Sequence, residues 1–232
     1  MKLLISVRDA DEALLAARGG ADFIDLKEPG AGALGGLPVA TIAQVVAVLR
    51  RAAVGVPISA TIGDLPMRAT GQIAAQVEAV GACGVDYVKV GIERTPGADA
   101  VLDLLAGSGR RVVPVFIADR GIDAADLAHA CALGFPGVML DTADKIGGSL
   151  FERMPLEAVQ RFVRTVQRSG AMVGLAGALR LEHATWLARL APDFAGFRSA
   201  VCAGDRASTL DPQRLQALAA ALRGTSVERL PA

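Results

Sequence analysis

Of the 24 basic side chains in this sequence, 20 are arginine and only four are lysine: Lys2, Lys27, Lys89 and Lys145. Three of the four sit in or just after short apolar runs that read as strands: Lys27 in DFIDLK, Lys89 in DYVKVG and Lys145 shortly after GVMLDT. Arginine stays protonated at any accessible pH, whereas a lysine can lose its proton and attack a carbonyl. A chain that otherwise favours arginine thus has a chemical reason to put lysine at these points. Carboxylates accompany them. Residues i and i+2 of a strand share a face, so Asp25 shares one with Lys27, and Tyr87 with Lys89. Asp141 ends its strand-like run, four residues before Lys145. If these faces converge, a neighbouring ammonium and partial desolvation lower a lysine pKa. The free amine can then form an imine. Carboxylates and a second lysine can pass protons during enolisation, aldol addition and water loss.

Each residue also has an ordinary reading. A strand-end lysine can be a solvated rim residue, Asp25 and Lys27 can form a structural ion pair, and Asp141 can cap a turn. Arg198 can be an ion-pair partner. Ser59, Thr61 and Tyr87 suit packing or local hydrogen bonds. His129 and His183 fall in helical segments, far apart, and Trp186 reads as core. The joint placement of three lysines favours chemistry.

The elements that must position these groups alternate regularly. Strands are expected at 2–6, 22–27, 56–62, 86–91, 111–118, 137–142, 171–177 and 194–199. Helices are expected at 9–19, 38–51, 70–81, 96–106, 123–133, 155–169, 181–190 and 211–223, with Asp9, Thr70 and Asp123 as caps and Pro38 opening the second. Eight strand–helix units in 232 residues, with no linker, predict an α/β chain folded as a single-domain (β/α)8 TIM barrel over 1–223, followed by a frayed tail at 224–232. A doubly wound open sheet is the alternative, but no GxGxxG follows a strand.

In a barrel, reactive groups lie at the C-terminal strand ends, and phosphate often binds after strands 7 and 8. The corresponding segments here are LAGALR (175–180) and FRSAVCAGDR (197–206). Gly177, Arg198, Ser199 and Ala200 are the candidate phosphate-binding residues, with Thr61 and Asp64 facing the substrate from strand 3 and its loop.

Bulk properties exclude several classes. A net charge of zero argues against a nucleic-acid binder, and 52% hydrophobic residues argue against disorder. No uninterrupted apolar run is long enough for a membrane span. Charges interrupt the N-terminal apolar stretch too early for a signal peptide, so a cytoplasmic protein is expected. Cys83, Cys131 and Cys202 match no metal motif or disulfide framework. Ala-rich helices at 38–51 and 211–223 could cover a subunit interface, and a homo-oligomer is expected.

IDLKEPGAGALGG, SATIGDLP, DYVKVG, MLDTADK and LAGAL, in this order and spacing, resemble the (5-formylfuran-3-yl)methyl phosphate synthases from Leu3 to about Arg223. The resemblance implies a TIM barrel and a lyase of methanofuran biosynthesis. It implies joining of two glyceraldehyde 3-phosphate molecules through a lysine Schiff base, with loss of phosphate and water and with no metal or organic cofactor. By matched position it implies Lys27 as the Schiff-base lysine, Lys89 as the proton-transfer lysine, and Asp141 with Lys145 as the acid–lysine pair. Asp25 would assist Lys89, and Lys145 would orient or neutralise a phosphate. Two segments depart from the family: Ala178 stands where a hydroxyl residue is expected, and FIADRG at strand 5 fits poorly, so Asp119 and Arg120 receive no role. Other imine-forming aldolases of sugar phosphates, and a non-catalytic phosphosugar-binding barrel, remain alternatives.

Overall fold

Alternating residues of eight short strands build two cores, one inside a ring of strands and one outside it. The structure, a computed structural model, describes residues 1–144 and 147–224; Lys145 and the expected tail beyond 224 lie outside the described residues. The strands are β1 (Lys2–Val7), β2 (Phe23–Leu26), β3 (Ile58–Thr61), β4 (Tyr87–Ile92), β5 (Val112–Ile117), β6 (Gly137–Asp141), β7 (Met172–Leu175) and β8 (Phe194–Phe197). All pair in parallel in sequence order, and β8 closes on β1. Closure removes the open-sheet alternative.

Parallel neighbours need crossovers, and helices supply them: α1 (Ala10–Arg18), α2 (Val39–Arg51), α3 (Thr70–Ala82), α4 (Ala98–Ala106), α5 (Ala124–Ala132), α6 (Leu150–Arg153), α7 (Leu156–Arg168), α8 (Ala184–Leu190) and α9 (Pro212–Gly224). Asp9 caps α1 by accepting from the Glu12 N–H at 2.9 Å, and Asp123 caps α5 by accepting from Ala125 at 2.8 Å. Thr70 is not a cap: it is the first helical residue, and Ala69 accepts the first helical bond from Ile73 at 2.9 Å. The one-turn α6 stands where a loop is expected, being too short to show a period. No described helix is long and apolar enough to cross a membrane.

Outward strand residues such as Ile5, Ile24, Leu26, Ile58 and Val90 pack against the buried faces of the helices. Inward residues Leu4, Phe23, Val113, Val115, Met139 and Phe194 fill the barrel. Gly174 makes this filling fit, because a Cβ there would lie 2.2 Å from the Phe194 ring. The expectation that Trp186 is core fails. It is 42% exposed, because the short α8 turns Leu187 and Leu190 inward, and Trp186 stacks on His183 beside Phe151. His129 pairs with Asp103 at 2.7 Å.

Above the apolar layers the barrel interior turns polar. Register sets Ser6 beside Asp25 and Asp25 beside Ser59 across β1, β2 and β3. Thr61 lies beside Lys89, and Ile117 beside Asp141. The loop after β2 lowers Ala33 and Leu34 into the inner core, against Val113, Val115 and Ile117. That plug fills part of the mouth, and a cleft remains beside β6, β7 and β8.

Candidate active site

Two lysine–carboxylate pairs occupy the polar layer. The Lys89 Nζ lies 2.9 Å from Asp25 Oδ1, and the Lys27 Nζ lies 3.6 Å from Asp141 Oδ2. Lys27 is 7% exposed and Lys89 3%, and both carboxylates are buried. The pairing is crossed relative to the Asp25–Lys27 pair that strand parity offers: within ion-pair distance Asp25 holds the lysine of β4, while the lysine after β2 reaches the aspartate of β6. Two hydroxyls fix Asp25, Ser59 Oγ donating to Oδ1 at 2.6 Å and Ser6 Oγ to Oδ2 at 3.2 Å.

Burial pushes the Asp25 carboxyl up, but the charges of Lys89 and Lys27 and the bonds from Lys89 and Ser59 outweigh it, leaving its pKa below the ordinary value. Lys89 is lowered as well. Burial is the largest cause, Asp25 offsets part of it, and the charge of Lys27 adds to the lowering. The lowered amine expected from converging lysines is therefore found at Lys89.

A cleft of about 40 Å³ opens beside Lys27 and Asp141, walled by Ser6, Gly177, Ser199 and Arg206. Gly177 adopts a φ of +108°, and a Cβ there would meet Thr142 at 2.8 Å. Ala178 follows at a φ of +44°, so this turn offers the cleft only backbone donors and a methyl group. Ala200 stands away from the wall, packed on the outer core.

The remaining expected residues have other partners. Thr61 Oγ1 donates to the Gly35 carbonyl at 2.9 Å, and Asp64 accepts from the N–H groups of Ala33 and Leu34 at 2.7 and 3.1 Å. Both hold the loop after β2 rather than turning to the cleft. Arg198 is buried and fully engaged: it pairs with Glu12 through both terminal nitrogens and donates to the carbonyls of Ser6, Arg206 and Ser208. Its ordinary reading as an ion-pair partner is the one the geometry gives. Lys145 lies outside the described residues.

Ser6, Glu12 and Arg206 were not singled out by the sequence, and Asp119 was named there but given no role. Ser6 could have been noticed as the polar residue within an otherwise apolar strand. Asp119 accepts from the N–H groups of Ala143 and Asp144 at 2.7 and 2.8 Å, so the unfamiliar FIADRG segment secures the loop after β6. Its neighbour Arg120 pairs with Glu93.

The chain is similar to known proteins over nearly its whole length. A family model described as 4-HFC-P synthase matches residues 3–219. The chain is 36% identical to the (5-formylfuran-3-yl)methyl phosphate synthase of Archaeoglobus fulgidus, covering 97% of this chain and 100% of that one. It is also 36% identical to the enzyme of the same name from Methanosarcina barkeri, covering 95% and 98%. A Methylorubrum extorquens protein that carries the name provisionally is 41% identical, covering 96% and 92%. Among solved structures, the phosphoribosyl anthranilate isomerase of Thermus thermophilus superposes with a TM-score of 0.66 at 17% identity, covering 96% of this chain and 98% of that one. A 3-hexulose-6-phosphate synthase gives 0.61 at 17% identity, covering 94% and 99%. These last two share the barrel.

Proposed function

The chain belongs to the 4-HFC-P synthase family, whose curated relatives are named (5-formylfuran-3-yl)methyl phosphate synthase, and from that premise we propose that it builds a furan phosphate from two molecules of glyceraldehyde 3-phosphate through an imine on Lys27. The observation that carries the reading is a buried lysine at the cleft, 3.6 Å from Asp141, above a second buried lysine–aspartate pair.

Lys27, as the free amine, attacks the substrate carbonyl carbon. The proton that the amine gives up passes through Asp141 to the alkoxide oxygen, and a second proton, drawn from solvent, releases the hydroxyl as water and leaves the iminium. The iminium acidifies the adjacent C–H. Lys89, whose lowered pKa favours the free amine, takes that proton, and Asp25 steadies the resulting ammonium. The enamine carbon then adds to the aldehyde of the second triose phosphate. Loss of phosphate and water, ring closure and release of Lys27 from the product as the free amine complete the furan. Lys145, assigned by resemblance alone, serves to neutralise a phosphate. The reaction class is that of a lyase.

The test is product analysis with glyceraldehyde 3-phosphate as the sole substrate. The proposal predicts an ultraviolet-absorbing furan aldehyde together with released phosphate. An aldol product without furan would assign the site to another imine-forming aldolase. Ligand-induced stabilisation without turnover would assign it to a binding barrel.

A further inference from the structure

We propose that Arg206 is the residue that grips a phosphate group at this site and selects phosphorylated substrate. The inference builds on the triose-phosphate reading and names the side chain that recognises the phosphate.

Four arginines bear on the loop between Cys202 and Leu210, which is closed by a bridge between those two residues. Three of them hold its backbone. Arg8 Nη1 donates to the Ala207 carbonyl at 2.6 Å, Arg214 Nη1 to that of Cys202 at 2.7 Å, and Arg198 to those of Arg206 and Ser208 at 2.9 and 2.8 Å. Each of the three also has a carboxylate within 4 Å: Arg8 and Arg198 share Glu12, and Arg214 has Asp211. Asp205 tightens the turn by accepting from the N–H groups of Ala207 and Ser208 at 2.9 and 3.0 Å.

Arg206, the fourth, is different. Its guanidinium is half-buried and lines the cleft with Lys27 and Asp141. Among the described residues it has no ion pair and no side-chain hydrogen bond, and the carboxylate beside it, Asp141, pairs with Lys27. Burial lowers its pKa more than nearby carboxylates restore it. A desolvated guanidinium on a backbone fixed by three other arginines is costly unless a ligand completes it. Its planar fork suits two phosphate oxygens at once. The same cleft is lined by Lys27, Asp141, the Gly177 turn, Arg198 and Ser199. A phosphate held there lies within the same small cleft as the imine carbon. Arg198, which sequence position alone favours, cannot take this role, because its donors are spent on Glu12 and on the loop that presents Arg206.

The test compares wild type with Arg206→Gln and Arg206→Lys. It reads the binding of inorganic phosphate by calorimetry, the KM and kcat for glyceraldehyde 3-phosphate, and borohydride-trapped adduct with unphosphorylated glyceraldehyde. R206Q should weaken inorganic phosphate and raise KM by on the order of tenfold to a hundredfold. Adduct formation with glyceraldehyde should be unchanged, and R206K should recover part of the loss. Among the described residues the guanidinium makes no ion pair or side-chain hydrogen bond, so both variants should melt with wild type. Unchanged phosphate binding and KM in R206Q would overturn the proposal, as would an equal loss with glyceraldehyde. Failure of the furan chemistry is separable: a wild type that binds phosphate through Arg206 but makes no furan keeps this inference and removes the synthase reading.

Discussion

At the N-terminal end of the barrel, Lys2 keeps its ammonium in solvent, 5.4 Å from the centroid of the Phe23 ring. Arg111 lies over Tyr87 in the same way, at 4.5 Å, and donates to its hydroxyl. Phe23, Tyr87 and Phe194 close that end with ring-to-ring contacts. At the C-terminal end, Lys27 and Lys89 lie inside the ring of strands with Asp25 and Asp141. A cation resting on an exposed aromatic face gains about 0.5–1 kcal/mol. Withdrawing a charge from water costs several kcal/mol per ion, which pairing only partly recovers. The lower end is therefore built for closure at little cost. The upper end accepts a stability cost that packing does not require, and the proposed imine chemistry accounts for it.

The largest expected effect separates the two ends by chemistry. Lys27→Arg keeps a cation opposite Asp141 but cannot form an imine, so furan production should fall on the order of a thousandfold or more. Production within tenfold of wild type would remove the distinction between Lys27 and Lys2.

Stability comes next. Lys89→Met leaves Asp25 buried without its cation and should cost about 3–5 kcal/mol in urea unfolding. Adding Asp25→Leu to that variant should recover much of the loss, since no charge is then left uncompensated. A cost below about 1 kcal/mol for the single change would mean that the upper layer is as tolerant as the lower.

The pH dependence sharpens the same contrast. The Asp25 pKa is lowered from 3.8, so its contribution to stability is present above 3.8 and is lost as pH falls through the lowered value. The Lys89 pKa is lowered from 10.5. Between its folded and unfolded values the unfolded chain binds the extra proton, so stability from this group rises with pH up to 10.5. Urea titrations across the alkaline range should show that rise in wild type and not in Lys89→Met. Equal profiles would indicate that Lys89 is not perturbed.

The smallest effect belongs to the lower end. Tyr87→Phe removes the bond from Arg111 at the rim and should cost at most about 1 kcal/mol, with kcat unchanged.

How far this contrast was legible in the sequence follows from the physics of strands. The period of two put Asp25 with Lys27 and Tyr87 with Lys89 on shared faces, and the rarity of lysine drew attention to Lys27 and Lys89. The alternation of eight apolar runs with helices made the barrel itself readable. Parity does not say which strand lies opposite which at what height, so the crossed pairing of Asp25 with Lys89 needed the register. Thr61 and Asp64 sit at the correct end of β3, yet a neighbouring loop takes up their hydrogen-bonding capacity, and no local pattern announces that. Arg198 and Arg206 are both arginines near the end of β8. Both line the cleft, and the partner Glu12, far back on α1, distinguishes the one whose donors are taken up from the one left open to it. Trp186 went astray because hydrophobicity ranks tryptophan as core, whereas a seven-residue helix has too narrow an inner face to bury it.

The most direct measurement is to incubate the protein with glyceraldehyde 3-phosphate and borohydride and to map the modified lysines by mass spectrometry. The account predicts a substrate-derived adduct on Lys27, absent in Lys27→Arg. An adduct confined to Lys89 or Lys145, or turnover with no adduct on any lysine, would contradict it.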